Sequence, residues 1–242
     1  MKTRRNDLSR WFVDLDDCLW LKGDDTGAQE APFIVSALGL KSGHSVLDCP
    51  CGAGRISTAL AKAGCTVTGV DIRQVFLRRA RRRFRREGLD GSFLRSDMRE
   101  IDFAGRFDAV VNWSGSFGYF LDPDNLRVLR RFSLALKPGG RVLIDQLNRE
   151  YVLRHFHTKM KQGDLTLHSK WKRRTQCIET TWRWRVAGRQ RSCRSRIRIY
   201  TPGQLGRLFE AAGLRVEAMY GGLDASPYRR GSRRIHIVGR KV

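Results

Sequence analysis

Between residues 44 and 146, short apolar runs alternate with segments of helical period, and this alternation restricts the chain to a parallel sheet with helices on both faces. Five runs read as strands: 44–48 (HSVLD), 65–71 (CTVTGVD, rich in β-formers), 92–95, 107–112 (FDAVVN) and 141–145 (RVLID). Parallel neighbours cannot be joined by tight turns, so a helix must carry the chain back between them. Helices are predicted over 56–63, 75–88 and 124–136. The second presents Leu77, Ala80 and Phe84 at i, i+3 and i+7, and arginines fill most of its remaining surface. Lys137-Pro138-Gly139-Gly140 reads as a turn before the fifth strand.

Residues 156–200 break the pattern. Segments 165–174, 177–186 and 193–200 alternate with period two and are separated by Ala187-Gly188 and other turn signals, which predicts an antiparallel insertion of about three strands. The insertion holds 13 basic residues against 2 acidic ones. A helix then begins at Thr201-Pro202, a cap followed by a first-turn proline, and runs to Ala212 before Gly213. Segments 214–219 and 234–238 bring the main sheet to seven strands. With no internal repeat and no low-complexity linker, residues 1–242 read as a single domain.

The chain carries 47 Lys+Arg and 24 Asp+Glu, a net charge of +23, but 41% hydrophobic and 10% aromatic residues argue against disorder. No run of about 18 uncharged apolar residues exists, so no membrane-spanning helix is expected. The first residues are basic but meet Asp14, Asp16 and Asp17 where a signal peptide needs an apolar stretch, so a cytoplasmic location is expected. Six scattered cysteines form no CxxC pair and no zinc-type cluster; they are expected to be reduced, packed thiols, with no metal site. The charge itself has two readings, a polyanionic partner or a solvated arginine-rich surface.

The strand ends carry the chemistry. The first strand ends at Asp48, followed by Gly52-Ala53-Gly54 opening a helix, where free N–H groups and bare backbone admit a ligand closely. The second ends at Asp71, placed to accept both hydroxyls of a ribose. The third leads to Asp97-Met98, able to take an exocyclic amine and to pack on an adenine face. Carboxyl ends of parallel strands share one crevice, and a single adenosine-containing ligand satisfies all three positions. Taken singly each residue has a plainer reading: Asp48 as a helix cap, Asp71 as a solvated strand end, the glycines as packing.

These segments, in order, resemble one family. VLDCPCGAGR resembles motif I of the class I S-adenosylmethionine-dependent methyltransferases, VTGVDI their acidic second-strand end and RSDM their adenine-contacting loop. FDAVVNWSGSFGYF resembles their fourth strand and its catalytic-face loop, and LKPGGRVLID their turn and fifth strand. RIYTPGQLGRLFEAAGL and SRRIHIVGRK resemble the final helix and strands, whereas 156–198 match by position alone. Pro50 departs from the pattern, standing where many members have the first glycine.

The resemblance implies a Rossmann-like α/β fold with a seven-stranded, mostly parallel sheet, helices on both faces and the antiparallel insertion after strand five. It divides the chain into a lid-like segment 1–40 bearing Trp11, Phe12 and Trp20, a cofactor-binding core 44–155, the insertion 156–200 and a C-terminal part 201–242. The implied cofactor is S-adenosyl-L-methionine, leaving S-adenosyl-L-homocysteine. Its site would comprise Asp48, Cys49, Pro50, Gly52, Gly54, Asp71, Ile72, Asp97, Met98, Asn112 and Trp113. Tyr119, Asn112 and His157 are the candidate catalytic residues. Ser114, Phe117, Gln146, Asn148 and His155 are further candidates on the acceptor side.

The resemblance extends to small-molecule N-methyltransferases and implies a small acceptor, anionic ones included, methylated on nitrogen or oxygen, with the insertion as substrate cover or dimer interface. Two other readings stand beside it. An RNA- or ribosome-directed methyltransferase would use the basic surface, with Trp182, Trp184 and Tyr200 stacking on bases, but NWSGSFG lacks the Asn/Asp-Pro-Pro-aromatic signature of nucleobase amino methylation. A nicotinamide-dependent oxidoreductase would need a third glycine that Pro50-Cys51-Gly52-Ala53-Gly54 does not supply.

Overall fold

In the computed structural model, which describes residues 27–242, the short strand β1 (Ser45–Asp48) lies inside the main sheet. It pairs in parallel with β2 (Thr66–Asp71) on one side and β4 (Phe107–Asn112) on the other. β3 (Gly91–Arg95) extends the sheet beyond β2, and β5 (Leu136–Leu147) lies next to β4. The remaining two strands are β10 (Leu214–Tyr220) and β11 (Arg234–Lys241), giving the order β10-β11-β5-β4-β1-β2-β3. β11 alone runs against its neighbours.

Both faces of the sheet are buried, which is why its central strands read as unbroken apolar runs. Val46, Val67, Ala109, Val111 and Leu143 point to one face. They pack under α1 (Gly27–Leu38), α2 (Arg55–Lys62) and α3 (Gln74–Arg86). Leu47, Val70, Val110, Val142 and Ile144 point to the other, under α4 (Asp122–Ala135) and α6 (Pro202–Ala211). The predicted stripe Leu77, Ala80 and Phe84 is the buried side of α3, joined by Phe76. At the start of α6, Thr201 and Gln204 form a reciprocal capping box ahead of the predicted Pro202.

Two sequence expectations need correction, and one short helix is added to them. Lys137-Pro138-Gly139-Gly140 is no turn ahead of the fifth strand but an irregularity inside β5, where the pairing shifts from Phe107–Leu136 to Ala109–Arg141. A short helix, α5 (Arg149–Arg154), follows β5; Asn148 caps it by accepting from the Glu150 amide. The insertion has four strands, not about three: β6 (Lys159–Gln162), β7 (Leu165–Lys172), β8 (Cys177–Val186) and β9 (Arg189–Arg198). β6 (KMKQ) is exposed throughout and has no apolar alternation to reveal it. Ala187 and Gly188 form the predicted β8–β9 hairpin, both with positive φ. No helix among the described residues is long and apolar enough to cross a membrane.

The insertion docks through its inward side chains. Trp184 is buried, and Leu165, Trp182, Val186 and Ile197 pack against the same core as α4 and α6. At its far end the Arg198 guanidinium meets Asp122 (2.8 Å) and lies 4.1 Å above the Tyr200 ring, while the Tyr200 hydroxyl donates to Asp122 (2.7 Å). The Arg198 amide donates to the Gly118 carbonyl (2.7 Å). Gly118 has φ +98, and a Cβ there would lie 2.2 Å from the Arg198 carbonyl oxygen. Gly118→Ala is therefore expected to cost roughly 2–4 kcal/mol, read as a lowered urea midpoint. An unchanged midpoint would mean that this contact does not hold the insertion.

Candidate functional site

The loop between β1 and α2 is held from both sides. Its Cys49 amide continues the sheet pairing to the Val111 carbonyl (2.9 Å) and its Cys51 amide to the Val70 carbonyl (2.8 Å). Two side chains at strand ends complete the clamp. Asn112, at the end of β4, donates through Nδ2 to the Cys49 carbonyl (2.8 Å). Asp71, at the end of β2, accepts from the Gly52 amide (3.0 Å) and from the Arg73 amide (2.8 Å). The Cys49–Pro50 peptide is cis. Gly52 has φ +53 and meets nothing within 4 Å where a side chain would stand, so the backbone is bare towards the space above it.

That space is a cleft of about 1050 Å³, counted out to its open mouth. Asp48, Cys49, Pro50 and Gly52 line it from β1, and Asp71 and Ile72 from β2. Asp97 and Met98 line it after β3, and Trp113, Ser114 and Tyr119 after β4. Other predicted residues stand elsewhere. Gly54 is packed against Ala80 of α3, and Asn112 lies beneath the loop it holds, its Oδ1 buried without a hydrogen-bond partner. Phe117 is core against Tyr200. The Gln146 amide reaches the carbonyls of Phe117 and Arg198, and Asn148 caps α5. His155 stacks on Tyr151, and His157 is exposed ahead of β6; neither lines the cleft. Trp11, Phe12 and Trp20 lie outside the described residues.

Arg55, Arg73, Phe76, Ser96 and Ser116 also line the cleft and were not singled out from the sequence. Arg73 and Ser96 were recoverable in principle, being one or two residues beyond a strand end. Phe76 and Arg55 depend on how a helix rolls over the sheet, which periodicity does not fix.

Three carboxylates meet different surroundings. Asp48 is buried and accepts from the Ser57 hydroxyl (2.6 Å); burial pushes its pKa up to about 7. Asp71 is likewise raised by burial, against the opposing pull of the Arg73 and Gly52 amides. Asp97 is engaged by Arg99, which donates from Nε (3.1 Å) and Nη2 (2.7 Å) and stands over the Phe120 ring. Burial holds the Cys49 and Cys51 thiols well above their ordinary range, so they are neutral packing groups and not nucleophiles. Burial also pushes the Tyr119 phenol up to about 12, leaving a neutral hydroxyl at physiological pH. Among the described residues no three His, Cys, Asp or Glu side chains gather as a metal site.

The loop after β4 is pinned from the far side of the sheet. The Gly115 amide donates to Asp145 of β5 (3.1 Å), which is ion-paired with Arg234 of β11. His236, two residues along β11, approaches the same carboxylate (3.3 Å) and stacks under Trp113 with ring centroids 5.1 Å apart. Burial opposes ionisation of Asp145, but His236 and Arg234 together hold it below the usual carboxylate range. Ser114 accepts from Arg55 Nη2 (2.9 Å), and Arg55 is in turn ion-paired with Glu30 of α1.

A family model described as a methyltransferase domain matches residues 46–140. A glycine/sarcosine N-methyltransferase of Halorhodospira halochloris is 31% identical over 147 residues, 60% of this chain and 54% of that protein. The chain spans about half the length of the curated relatives it matches. The CcbJ methyltransferase of Streptomyces caelestis superposes with a TM-score of 0.77 at 19% identity, over 90% of this chain and 95% of that one. CalS10, an amino pentose methyltransferase of Micromonospora echinaspora solved with S-adenosylmethionine bound, gives 0.66 at 21%, over 92% and 93%. These two structural likenesses establish the shared fold.

The raised Asp48 has a consequence for stability. An acid whose folded pKa exceeds its unfolded value stabilises fully below the unfolded pKa, and that contribution is lost as pH rises through the folded one. The window for Asp48 runs from 3.8 to about 7. Asp48→Asn is expected to flatten the fall in stability across this window by about 1–3 kcal/mol, read in urea titrations of the ligand-free chain. Parallel pH profiles for the two proteins would contradict this.

Proposed function

We propose that the chain, through the methyltransferase domain matched at residues 46–140, acts as a class I S-adenosylmethionine-dependent methyltransferase on a nitrogen or oxygen of a small-molecule acceptor. The observation that carries the reading is the convergence of Asp48, Gly52, Asp71 and Met98 on one cleft at the carboxyl ends of parallel strands. Their chemistry suits the cofactor. Asp71 has lone pairs left for ribose hydroxyls after accepting two amide hydrogens. Ile72, Phe76 and Met98 offer apolar surface to an adenine, and Asp97 stands beside them. The buried Asp48 offers its carboxylate to a cationic amino group. S-adenosylmethionine held there would supply a methyl group activated by its sulfonium charge: the acceptor lone pair would bond to the methyl carbon as the S–CH3 bond breaks, S-adenosylhomocysteine would leave, and the acceptor proton would pass to solvent.

The protein's own part is alignment and exclusion of water. Trp113 and Tyr119 wall the acceptor side, Tyr119 as a neutral hydroxyl able to orient a nucleophile but not to deprotonate it. No histidine lines the cleft, so in this reading an amine acceptor reacts from its uncharged form without His155 or His157. Arg55 and Arg73 give an acidic acceptor or the cofactor carboxylate countercharges within the same walls. The names of the glycine/sarcosine and amino pentose enzymes support a small nitrogen nucleophile.

The test presents methyl-labelled S-adenosylmethionine and the full chain to cell extract, with and without ribonuclease. Label in small solutes under both conditions is expected; label confined to a ribonuclease-sensitive polymer would overturn the small-molecule reading. Asp71→Ala is expected to weaken S-adenosylhomocysteine binding at least tenfold in calorimetry, through about 1.4 kcal/mol or more of lost hydrogen bonding. Unchanged affinity would remove Asp71 from the site.

A further inference from the structure

The four-stranded sheet sorts its side chains by face. Residues opposite one another in the register share a side, so Leu167, Trp182 and Cys193 point inward together, as do Leu165 and Trp184. The other face carries Lys159, Lys161, Lys170, Lys172, Arg183, Arg185, Arg194 and Arg196. All but Arg196 are exposed. One carboxylate stands among these eight cations, Glu179, 3.8 Å from Lys172 and 3.9 Å from Arg194.

Their spacing matters. No two cations on this face stand directly opposite each other: Lys159 faces His168, Lys161 faces Thr166, Arg183 faces Thr166 and Ser192, and Arg185 faces Gln190. Lys170 and Arg196 flank Glu179. This staggering spares the fold the cost of like charges in register while leaving the whole face positive. Along each strand the cations recur every second residue, roughly 6.8 Å apart, or two 3.4 Å nucleotide steps along a duplex strand.

We propose that this face docks the phosphate backbone of a nucleic-acid duplex without reading its sequence. Trp184 and Tyr200, the aromatic partners a single strand would need, are buried on the core side, and the outward strand residues offer one ring, His168, too few for successive bases. A membrane surface would call for apolar anchors among the cations, but the outward face has only Cys177, which is buried. A second copy pairing face to face would set like charge against like. The surface lies outside the cleft and is independent of the methyl-transfer reading.

The test is fluorescence anisotropy of the full chain with a labelled 20-base-pair DNA duplex of arbitrary sequence, at increasing salt. Binding is expected at low ionic strength, with a log–log salt slope of about −4, as for four or five neutralised phosphates. R183E/R185E/R194E is expected to weaken it at least tenfold and to flatten the slope. R78E/R79E/R82E reverses three exposed arginines on α3, with the same change in net charge, as the control. The sheet variant must lose at least three times more affinity than this control; a smaller difference would mean that net charge alone is responsible and would overturn the proposal. So would absence of binding by the wild-type chain at 50 mM salt, or equal affinity for labelled polyglutamate. If the reversal variant fails to match the wild-type circular dichroism and melting profile, R183Q/R185Q/R194Q replaces it under the same criterion.

Discussion

The loop after β1 hangs between two side chains from the strands on either side: Asp71 holds the Gly52 amide and Asn112 holds the Cys49 carbonyl. They add to the Cys49 amide on Val111 and the Cys51 amide on Val70, which hold the same turn through its backbone. The clamp is costly. Asp48 and Asp71 are both buried and each has its pKa raised, with Asp71 contributing to the shift of Asp48. Two neighbouring acids in a low-dielectric cleft weaken the ligand-free fold. A ligand bearing hydroxyls and a cationic group would relieve that cost, which is the usual signature of a site and not of a scaffold.

The Trp113 side of the cleft depends on the one strand that runs the wrong way. β11, antiparallel to β5, brings Arg234 and His236 to Asp145, and that buried carboxylate takes the Gly115 amide while His236 supports the Trp113 ring. The same loop is tied to the insertion where Gly118 meets Arg198. The C-terminal strand and the insertion therefore set the position of Trp113 and Tyr119 as directly as β4 does.

Much of this was legible in the chain because the signals were local. Asp48, Gly52, Asp71 and Met98 sit where a strand ends, and a parallel sheet brings such ends together regardless of detail. The helix stripe of α3 and the Thr201–Gln204 cap were equally readable. What escaped was either non-local or unpatterned. Gly54, read as a ligand contact, faces Ala80 of α3, where its bare backbone lets the start of α2 come close to that helix. Asn112, read from the sequence as a site residue, lies beneath the β1–α2 loop with its Nδ2 on the Cys49 carbonyl. The network of Asp145, Arg234 and His236 joins residues some 90 apart in sequence, and nothing in either segment announces the other. β6 has no apolar alternation, so pairing alone identifies it.

The charge of +23 bears on reach and not on chemistry: the cleft is floored by carboxylates, while much of the arginine and lysine lies on α3 and on the outer face of the insertion. A cleft that takes S-adenosylmethionine also takes S-adenosylhomocysteine, which lacks only the methyl group and its charge. Such a site is tested most directly by titrating the full chain with S-adenosylhomocysteine and, separately, with NAD in a calorimeter at neutral pH. Saturable one-to-one heat is expected with S-adenosylhomocysteine and none with NAD. Binding of NAD, or silence with S-adenosylhomocysteine, would contradict it.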